Sequence, residues 1–208
     1  MDDRNKNHWY DGLFYDKIIA PNQDKAFDII KSIIENNTTV LDAGCGTGRL
    51  VFQLSDKCKQ VIGIDLSRRN IKLAKELLTK DHSSNIFFHH TDVQSYLAAD
   101  RIHFDYSIVS YVIHEIDEDR REKFLKALAG SSERIIIADY LFPRPKCFTS
   151  FLNEAIEFAA GSGHYKNFKS FIAGAGILGL AERTDLLVER EIKNSPMANH
   201  IVILKNKC

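Results

Sequence analysis

Short apolar runs alternate with longer amphipathic stretches through the first two thirds of the chain. Five runs have the β-branched and aromatic character of strands, at residues 39–44, 60–65, 86–90, 104–110 and 134–139. Between and before them, helical spacing of apolar residues predicts helices over 22–34, 67–80 and 117–130. Strands that alternate with helices in this way predict βαβ units and a parallel sheet.

The last third of the chain breaks this alternation. Residues 184–192 and 199–205 have the pattern of two strands joined by a short polar link, which predicts an antiparallel hairpin at the end of the sheet. Residues 141–183, ahead of this hairpin, form an insertion-like segment that is rich in aromatic residues. Its aromatic side chains are expected either to line an apolar substrate pocket or to form the core of a lid.

Composition and charge narrow the classes of partner. The chain is 44 % hydrophobic and 27 % charged, which is typical of a globular protein. Lys and Arg number 28, as do Asp and Glu, so the balance gives no reason to expect a nucleic acid or a membrane surface. The four cysteines show no paired spacing, which predicts reduced thiols in a cytoplasmic protein.

A glycine-rich turn follows the first predicted strand. The stretch TVLDAGCGTGRLV, residues 39–51, places Gly44, Gly46 and Gly48 within five positions. Such a turn lets the backbone approach a ligand closely. A P-loop is excluded, because no Lys-Ser or Lys-Thr pair follows the glycines. The dinucleotide pattern G-x-G-x-x-G fits imperfectly, because its third glycine is missing.

Three aspartates stand at the ends of the first three predicted strands. Asp42 would repel a pyrophosphate and favour an ammonium or sulfonium group, while the helix after the turn would offer N–H groups to a carboxylate. Asp65 is placed to accept hydrogen bonds from ribose hydroxyls, and Asp92 from an exocyclic adenine amine. The strand ends of an open α/β sheet line one crevice. Each aspartate has a second interpretation, as a cap of the turn or helix that follows it.

The motifs VLDAGCGTGRL, VIGIDLS, HTDVQ, FDYSIVSYVIHEI and RIIIADY resemble, in order and spacing, those of class I S-adenosylmethionine-dependent methyltransferases. The resemblance is strongest to the small-molecule branch, which includes quinone-biosynthesis-like enzymes. It implies an α/β, Rossmann-like fold with a seven-stranded, mostly parallel sheet, helices on both faces and an antiparallel C-terminal hairpin. It also implies a single methyltransferase domain in four parts: an N-terminal helical lid at 1–36, a cofactor-binding core at 37–140, a helical substrate lid at 141–183 and the hairpin at 184–208.

The same resemblance implies a site for S-adenosylmethionine. The residues expected around its methionine moiety all lie at the first turn: Asp42, Gly44, Cys45, Gly46 and Gly48. Gly48 has a second interpretation, in which it only permits close packing of helix and strand.

The remaining cofactor contacts are expected at the ends of later strands. Asp65 would bind the ribose hydroxyls, and Leu66 would lie against the adenine. Asp92 would hold the adenine amine, with Val93 packing nearby. Ser110 would border the sulfonium end of the cofactor.

His114, in SYVIHEI, is the candidate catalytic residue. It would lie at the crevice near the methyl donor, where a histidine can accept a proton from a hydroxyl or amine. The alternative is a structural or substrate-contacting histidine. Glu115 is expected to face solvent or to cap a helix. No metal site is predicted, because His89 and His90 would point to opposite faces of a strand.

The N-terminal segment carries Trp9, Tyr10 and Tyr15. In the resembled family such a segment often closes over the cofactor, and the alternative is packing against the sheet.

The sequence therefore predicts methyl transfer from S-adenosylmethionine to a small-molecule acceptor, with S-adenosylhomocysteine as product. The protein is expected to be a monomer or homodimer with neither nucleic acid nor membrane as partner. Two alternatives remain open: a methyltransferase-like protein that binds the cofactor without catalysis, and an NAD-dependent oxidoreductase. Asp42 and the missing third glycine count against the oxidoreductase.

Overall fold

The computed structural model describes residues 20–100, 102–194 and 198–207, without the side chains of residues 20–22, 99 and 100. In chain order the elements are α1 (Ala20–Ile33), β1 (Thr39–Ala43), α2 (Arg49–Leu54), β2 (Gln60–Asp65), α3 (Arg68–Asp81), β3 (Ile86–His90), α4 (Val93–Asp100), β4 (Phe104–Ser110), α5 (Glu118–Ala129), β5 (Ser132–Tyr140), α6 (Phe148–Ala159), α7 (Ser162–Ala173), α8 (Gly176–Arg183), β6 (Leu186–Asn194) and β7 (Asn199–Asn206). Trp9, Tyr10 and Tyr15, on which the N-terminal lid was predicted, lie outside the described residues.

Within the described residues, seven strands form one sheet in the order β3-β2-β1-β4-β5-β7-β6. Strand β1 pairs in parallel with β2 and β4, and β2 pairs in parallel with β3. Strand β7 runs antiparallel to both β5 and β6. The predicted α/β, Rossmann-like fold with an antiparallel C-terminal hairpin is confirmed, and the reversed strand makes the sheet mixed.

The chain divides into two compact units, Met1–Ile108 and Val109–Cys208. In the first unit, the central strands are buried because their sequences are almost continuously apolar. The register aligns the carboxyl ends of neighbouring strands: Asp42 of β1 is opposite Gly63 of β2, and Asp65 of β2 is opposite His90 of β3. Asp42 and Asp65 are thereby brought to the same edge of the sheet.

In the second unit, the segment between β5 and β6 is helical and forms α6, α7 and α8. Its aromatic residues divide into two groups. Phe168 and Phe171 on α7 are buried, whereas Phe148, Phe151 and Phe158 on α6 are exposed. The two expectations for these aromatics, pocket lining or lid core, therefore do not describe the segment as a whole.

Candidate functional site

The glycine-rich turn between β1 and α2 has a backbone that favours glycine. Gly44, Gly46 and Gly48 have φ values of 87°, 54° and 85°, in the left-handed region that other residues rarely adopt. The backbone N–H groups of Gly44 and Cys45 both donate to the carbonyl oxygen of Ile64, at 2.8 and 3.0 Å. These bonds tie the turn to the end of β2.

Glycine is favoured at Gly48 and at Gly46 for different physical reasons. A Cβ atom added at Gly48 would lie 2.5 Å from Cζ of Phe88, so Gly48 permits close packing inside the protein, as its second interpretation held. A Cβ atom added at Gly46 would meet nothing within 4 Å. Open space beside a strained turn backbone is what a closely approaching ligand requires.

Asp65 holds the turn in place. Its Oδ2 atom accepts a hydrogen bond from the N–H of Gly46 at 2.9 Å, and its Oδ1 atom accepts one from the N–H of Ser67 at 2.6 Å. The cap of α3 itself is Ser67, whose hydroxyl accepts from the N–H of Asn70 at 3.3 Å. A carboxylate offers about four acceptor positions, so one such group can serve several donors at once.

Asp42 is a buried carboxylate with an unsatisfied oxygen. Its side chain is only 1 % exposed, and Oδ1 has no hydrogen-bond partner among the described residues. Burial, and secondarily the charge of Asp65, raise the pKa of Asp42 to about 7. A buried oxygen of this kind requires a hydrogen-bond donor or a cation, which Oδ1 of Asp42 does not receive from the described residues.

The helix after the turn is short. Helix α2 is six residues long, and Gly48 is its N-cap residue. The N–H groups of Gly44, Cys45, Gly46 and Gly48 all donate within the protein. These four N–H groups are therefore engaged in holding the turn itself.

The residues after β2 and β3 differ in their environments. Leu66 is 48 % exposed, which is high for a large apolar side chain beside polar groups, whereas Val93 is buried. Asp92 accepts hydrogen bonds from the N–H of Ser95 at 2.8 Å and from its hydroxyl at 2.7 Å. The capping interpretation of Asp92 thus describes its contacts in this structure.

In the second unit, His114 lies between two carboxylates. Its Nδ1 atom is 2.8 Å from Oδ1 of Asp139, and its Nε2 atom is 3.4 Å from Oε1 of Glu157. Exposure of the three residues is 3 %, 0 % and 5 %, in that order. Ser110, the last residue of β4, is half-buried.

This contact belongs to a larger buried network. Glu157 accepts a hydrogen bond from the hydroxyl of Tyr140 at 2.7 Å, and its Oε2 atom lies 3.1 Å from Nδ1 of His164. The Nε2 atom of His164 lies 3.4 Å from Oε2 of Glu115. Glu115 was expected to face solvent or to cap a helix; its side chain is 30 % exposed, and its carboxylate also pairs with a histidine of α7.

The network changes the expected role of His114. Burial by itself would lower the pKa of His114, but the charges of Asp139 and Glu157 oppose this and raise it well above the ordinary value. Both ring nitrogens also have a carboxylate within 3.4 Å. A general base needs a free lone pair at neutral pH. The geometry argues against His114 as that base and favours the structural interpretation.

Sequence reasoning missed most of this network. Asp139 stands at the end of the fifth strand, in RIIIADY, where a strand-end position was a usable signal. Glu157 and His164 lie in α6 and α7, outside any motif, and no signal in the sequence pointed to them.

Residues 40–131 match a family model described as a methyltransferase domain. The chain is similar to methyltransferases in this match, in the relatives below and in its fold, and one of the similar structures contains S-adenosylhomocysteine.

An uncharacterized methyltransferase of Bacillus velezensis is 27 % identical over 147 residues, which are 68 % of this chain and 65 % of that protein. The chain spans at most 65 % of the length of the curated relatives that it matches.

Two solved structures share the fold. A mitomycin 7-O-methyltransferase superposes with a TM-score of 0.70 at 16 % identity, covering 93 % of this chain and 57 % of that chain. A magnesium protoporphyrin IX methyltransferase of Synechocystis with bound S-adenosylhomocysteine superposes with a TM-score of 0.66 at 18 % identity, covering 95 % and 91 %. At such identities the likeness shows the fold alone. Over the described part of the chain, no helix combines the length and apolar character needed to cross a membrane.

Proposed function

We propose that this chain transfers a methyl group from S-adenosylmethionine to a small-molecule acceptor and releases S-adenosylhomocysteine. The observation that carries the proposal is Asp42, a buried carboxylate whose Oδ1 atom lacks a partner among the described residues. It stands beside a turn with open space at Gly46. An α-ammonium group supplies what Asp42 lacks, whereas the phosphates of a dinucleotide would meet a negative charge there.

The residues present fit this cofactor. In the proposal, the turn cradles the methionine moiety through Asp42, Gly44, Cys45, Gly46 and Gly48. Asp65, which is fixed by the N–H groups of Gly46 and Ser67, accepts hydrogen bonds from the ribose hydroxyls.

The adenine and sulfonium contacts are also part of the proposal. Leu66 offers an exposed apolar surface to the adenine. Val93 supports it from the core, and Asp92 accepts from the adenine amine in addition to capping α4. Ser110, half-buried at the end of β4, borders the sulfonium.

When bound, the sulfonium supplies an activated methyl group, so the protein is required mainly to align the two reactants and to exclude water. We assign the cofactor-binding core to residues 37–140 and the acceptor-covering lid to 141–183. In that lid, Glu157 of α6 and His164 of α7 join the network of His114. We infer that His114 acts as a charged positioning residue that orders the lid.

A small acceptor is supported by charge and by the fold neighbours. The chain has no net charge, so it offers no general attraction for a nucleic acid. The two structural neighbours are named for small acceptors, mitomycin and magnesium protoporphyrin IX.

The test begins with isothermal titration calorimetry of the purified chain with S-adenosylhomocysteine, and with NAD as the competing ligand. We expect binding of S-adenosylhomocysteine that Asp65→Ala reduces at least tenfold, and no binding of NAD. Leu77→Glu, an exposed change on α3, serves as the control and should bind normally. Binding of NAD alone would replace this proposal with the oxidoreductase.

The second stage measures transfer of a labelled methyl group to a panel of small hydroxyl, amine and thiol compounds, with bulk tRNA included. Transfer to a small compound, lost in Asp65→Ala, supports the proposal. Transfer to tRNA alone would overturn the small-molecule part. Binding without transfer to any acceptor would favour the non-catalytic alternative.

A further inference from the structure

Helix α6 has its polarity reversed relative to an ordinary surface helix. Phe148, Phe151 and Phe158 are 76, 71 and 70 % exposed, and Leu152 is 42 % exposed. The other exposed positions of the helix are Ala155 and Ala159. The outer face of α6 is therefore entirely apolar and carries no charge.

The polar residues of α6 face the protein instead. Glu154 bonds Arg144 at 2.7 Å and the hydroxyl of Tyr165 at 2.8 Å. Glu157 faces His114 and His164 in the buried network. Turning the apolar face inward would break all of these bonds, so the reversed polarity is fixed by the folded protein.

Exposing an apolar face of this size to water is unfavourable, so the face is expected to bind a partner. Three phenylalanines exposed to this degree, with Leu152, present roughly 500 Å² of apolar surface, taking about 200 Å² for each aromatic ring side chain. Contiguous patches of this size commonly mark interaction sites.

We propose that the outer face of α6 binds the same face of a second copy of this chain. A two-fold dimer contact uses one patch twice, so the patch must be complementary to itself. An uncharged face meets this condition, because no like charges are brought together. Ala155, near the middle of the helix, allows close approach of the two backbones, and the phenylalanines on either side fill the space in an antiparallel pair.

The charged residues of α6 argue against a membrane surface as the partner of its apolar face. Helices that lie on anionic lipid carry Lys and Arg beside their apolar face. The charged residues of α6 are Glu154 and Glu157, and both are engaged with the protein. A second copy therefore fits this face better than a lipid headgroup layer.

The area of the apolar face sets the expected stability of the dimer. Two such faces would bury roughly 1,000 Å² in total, at the lower limit for a specific interface. We therefore expect a reversible dimer whose population depends on protein concentration.

Sedimentation velocity of the full chain over a concentration series tests the proposal. The wild-type chain should shift from monomer to dimer, and Phe151→Glu and Phe158→Glu should each remain monomeric. Leu77→Glu, a matched change from an exposed apolar residue on α3, should dimerise like the wild type. Circular dichroism and S-adenosylhomocysteine binding establish that each variant is folded, and Phe151→Ser replaces any that is not. A monomeric wild type, or a dimer that both α6 variants retain, would overturn the proposal.

Cross-linking tests the antiparallel arrangement. In a background with Cys147 and Cys208 changed to serine, Ala155→Cys should give a covalent dimer with a short bismaleimide. The chain with Cys147 restored and Ala155 intact should give none, because the two Cys147 positions would lie about 24 Å apart. Cross-linking through Cys147 but not through position 155 would contradict the antiparallel pair. Phe151-dependent binding to lipid vesicles by a monomeric chain would assign the face to a membrane and would overturn the proposal.

Discussion

The Nδ1 atom of His114 lies 2.8 Å from Oδ1 of Asp139, 25 positions later in the chain, and both side chains are buried. Asp139 also accepts a hydrogen bond from the N–H of Tyr140, at 2.7 Å. The pair joins the segment after β4 to the end of β5. Glu157 faces the other ring nitrogen, and the charges of the two carboxylates raise the pKa of His114 well above its ordinary value.

Asp139→Asn should destabilise the folded chain. The substitution leaves a buried imidazolium with one carboxylate instead of two, and we expect a loss of about 3 kcal/mol in the free energy of unfolding. Urea denaturation at pH 7 measures it. Glu189→Gln is the control, because its exposed pairs with Arg134 and Lys205 should contribute less than about 1 kcal/mol. Equal losses in the two variants would contradict the buried-pair argument.

The contact of His164 with Glu115 and Glu157 should make stability depend on alkaline pH. Burial lowers the pKa of His164, but hydrogen bonds to these carboxylates outweigh it and raise the pKa from 6.5 to about 9. Because the folded value is the higher one, the stabilisation is complete below about pH 6.5 and is lost as the pH rises through about 9.

Melting temperatures measured between pH 6 and 10 check this dependence. His164→Gln should lower the melting temperature most at the acidic end of the range and least at the alkaline end. His114 lies beside His164, with ring centroids 6.4 Å apart, and titrates in the same direction. The difference between wild type and variant isolates the contribution of His164. A difference that stays constant with pH would refute the assignment.

Asp42→Asn should stabilise the ligand-free chain while weakening the cofactor site. The pKa of Asp42 is raised from 3.8 to about 7 in the folded state, so its charge costs stability as the pH rises through this interval. At pH 8, where the whole cost of charging the buried carboxyl group is present, we expect the variant to gain up to about 4 kcal/mol in the free energy of unfolding. Affinity for S-adenosylhomocysteine should fall at least tenfold in the variant, and in the wild type it should fall as the pH drops below about 7.

Denaturation and calorimetry of the same Asp42→Asn preparation provide both readouts. Destabilisation would mean that Asp42 is already paired in the ligand-free protein. Unchanged affinity would remove Asp42 from the cofactor site.

Gly46→Ala should lower both the stability of the chain, through backbone strain, and its affinity for the cofactor, through the added methyl group. The φ value of 54° costs an alanine about 1 kcal/mol, and its methyl group would stand in the open space assigned to the cofactor. Gly161→Ala is the matched control, since Gly161 also has positive φ and open surroundings. Both variants should lose stability in urea denaturation, and only Gly46→Ala should lose affinity for S-adenosylhomocysteine. Equal affinities would place the ligand elsewhere.

The order of elements was predictable because local patterns encode it. Continuous apolar runs marked β2 and β4, and the serine cap at Ser67 marked the start of α3. The sequence predicts a helical insertion at 141–183, but not its division into three helices.

The sequence by itself determined the glycine turn, the aspartates at the strand ends and the closing hairpin, because each depends on residues within about one element of each other. Only the tertiary structure decided the charge of His114 and the reversed polarity of α6. Both depend on carboxylates that folding brings together from distant elements, and burial then sets how strongly those groups interact. The sequence shows which residues are apolar, but buried charges form pairs only after the helices and strands have packed together.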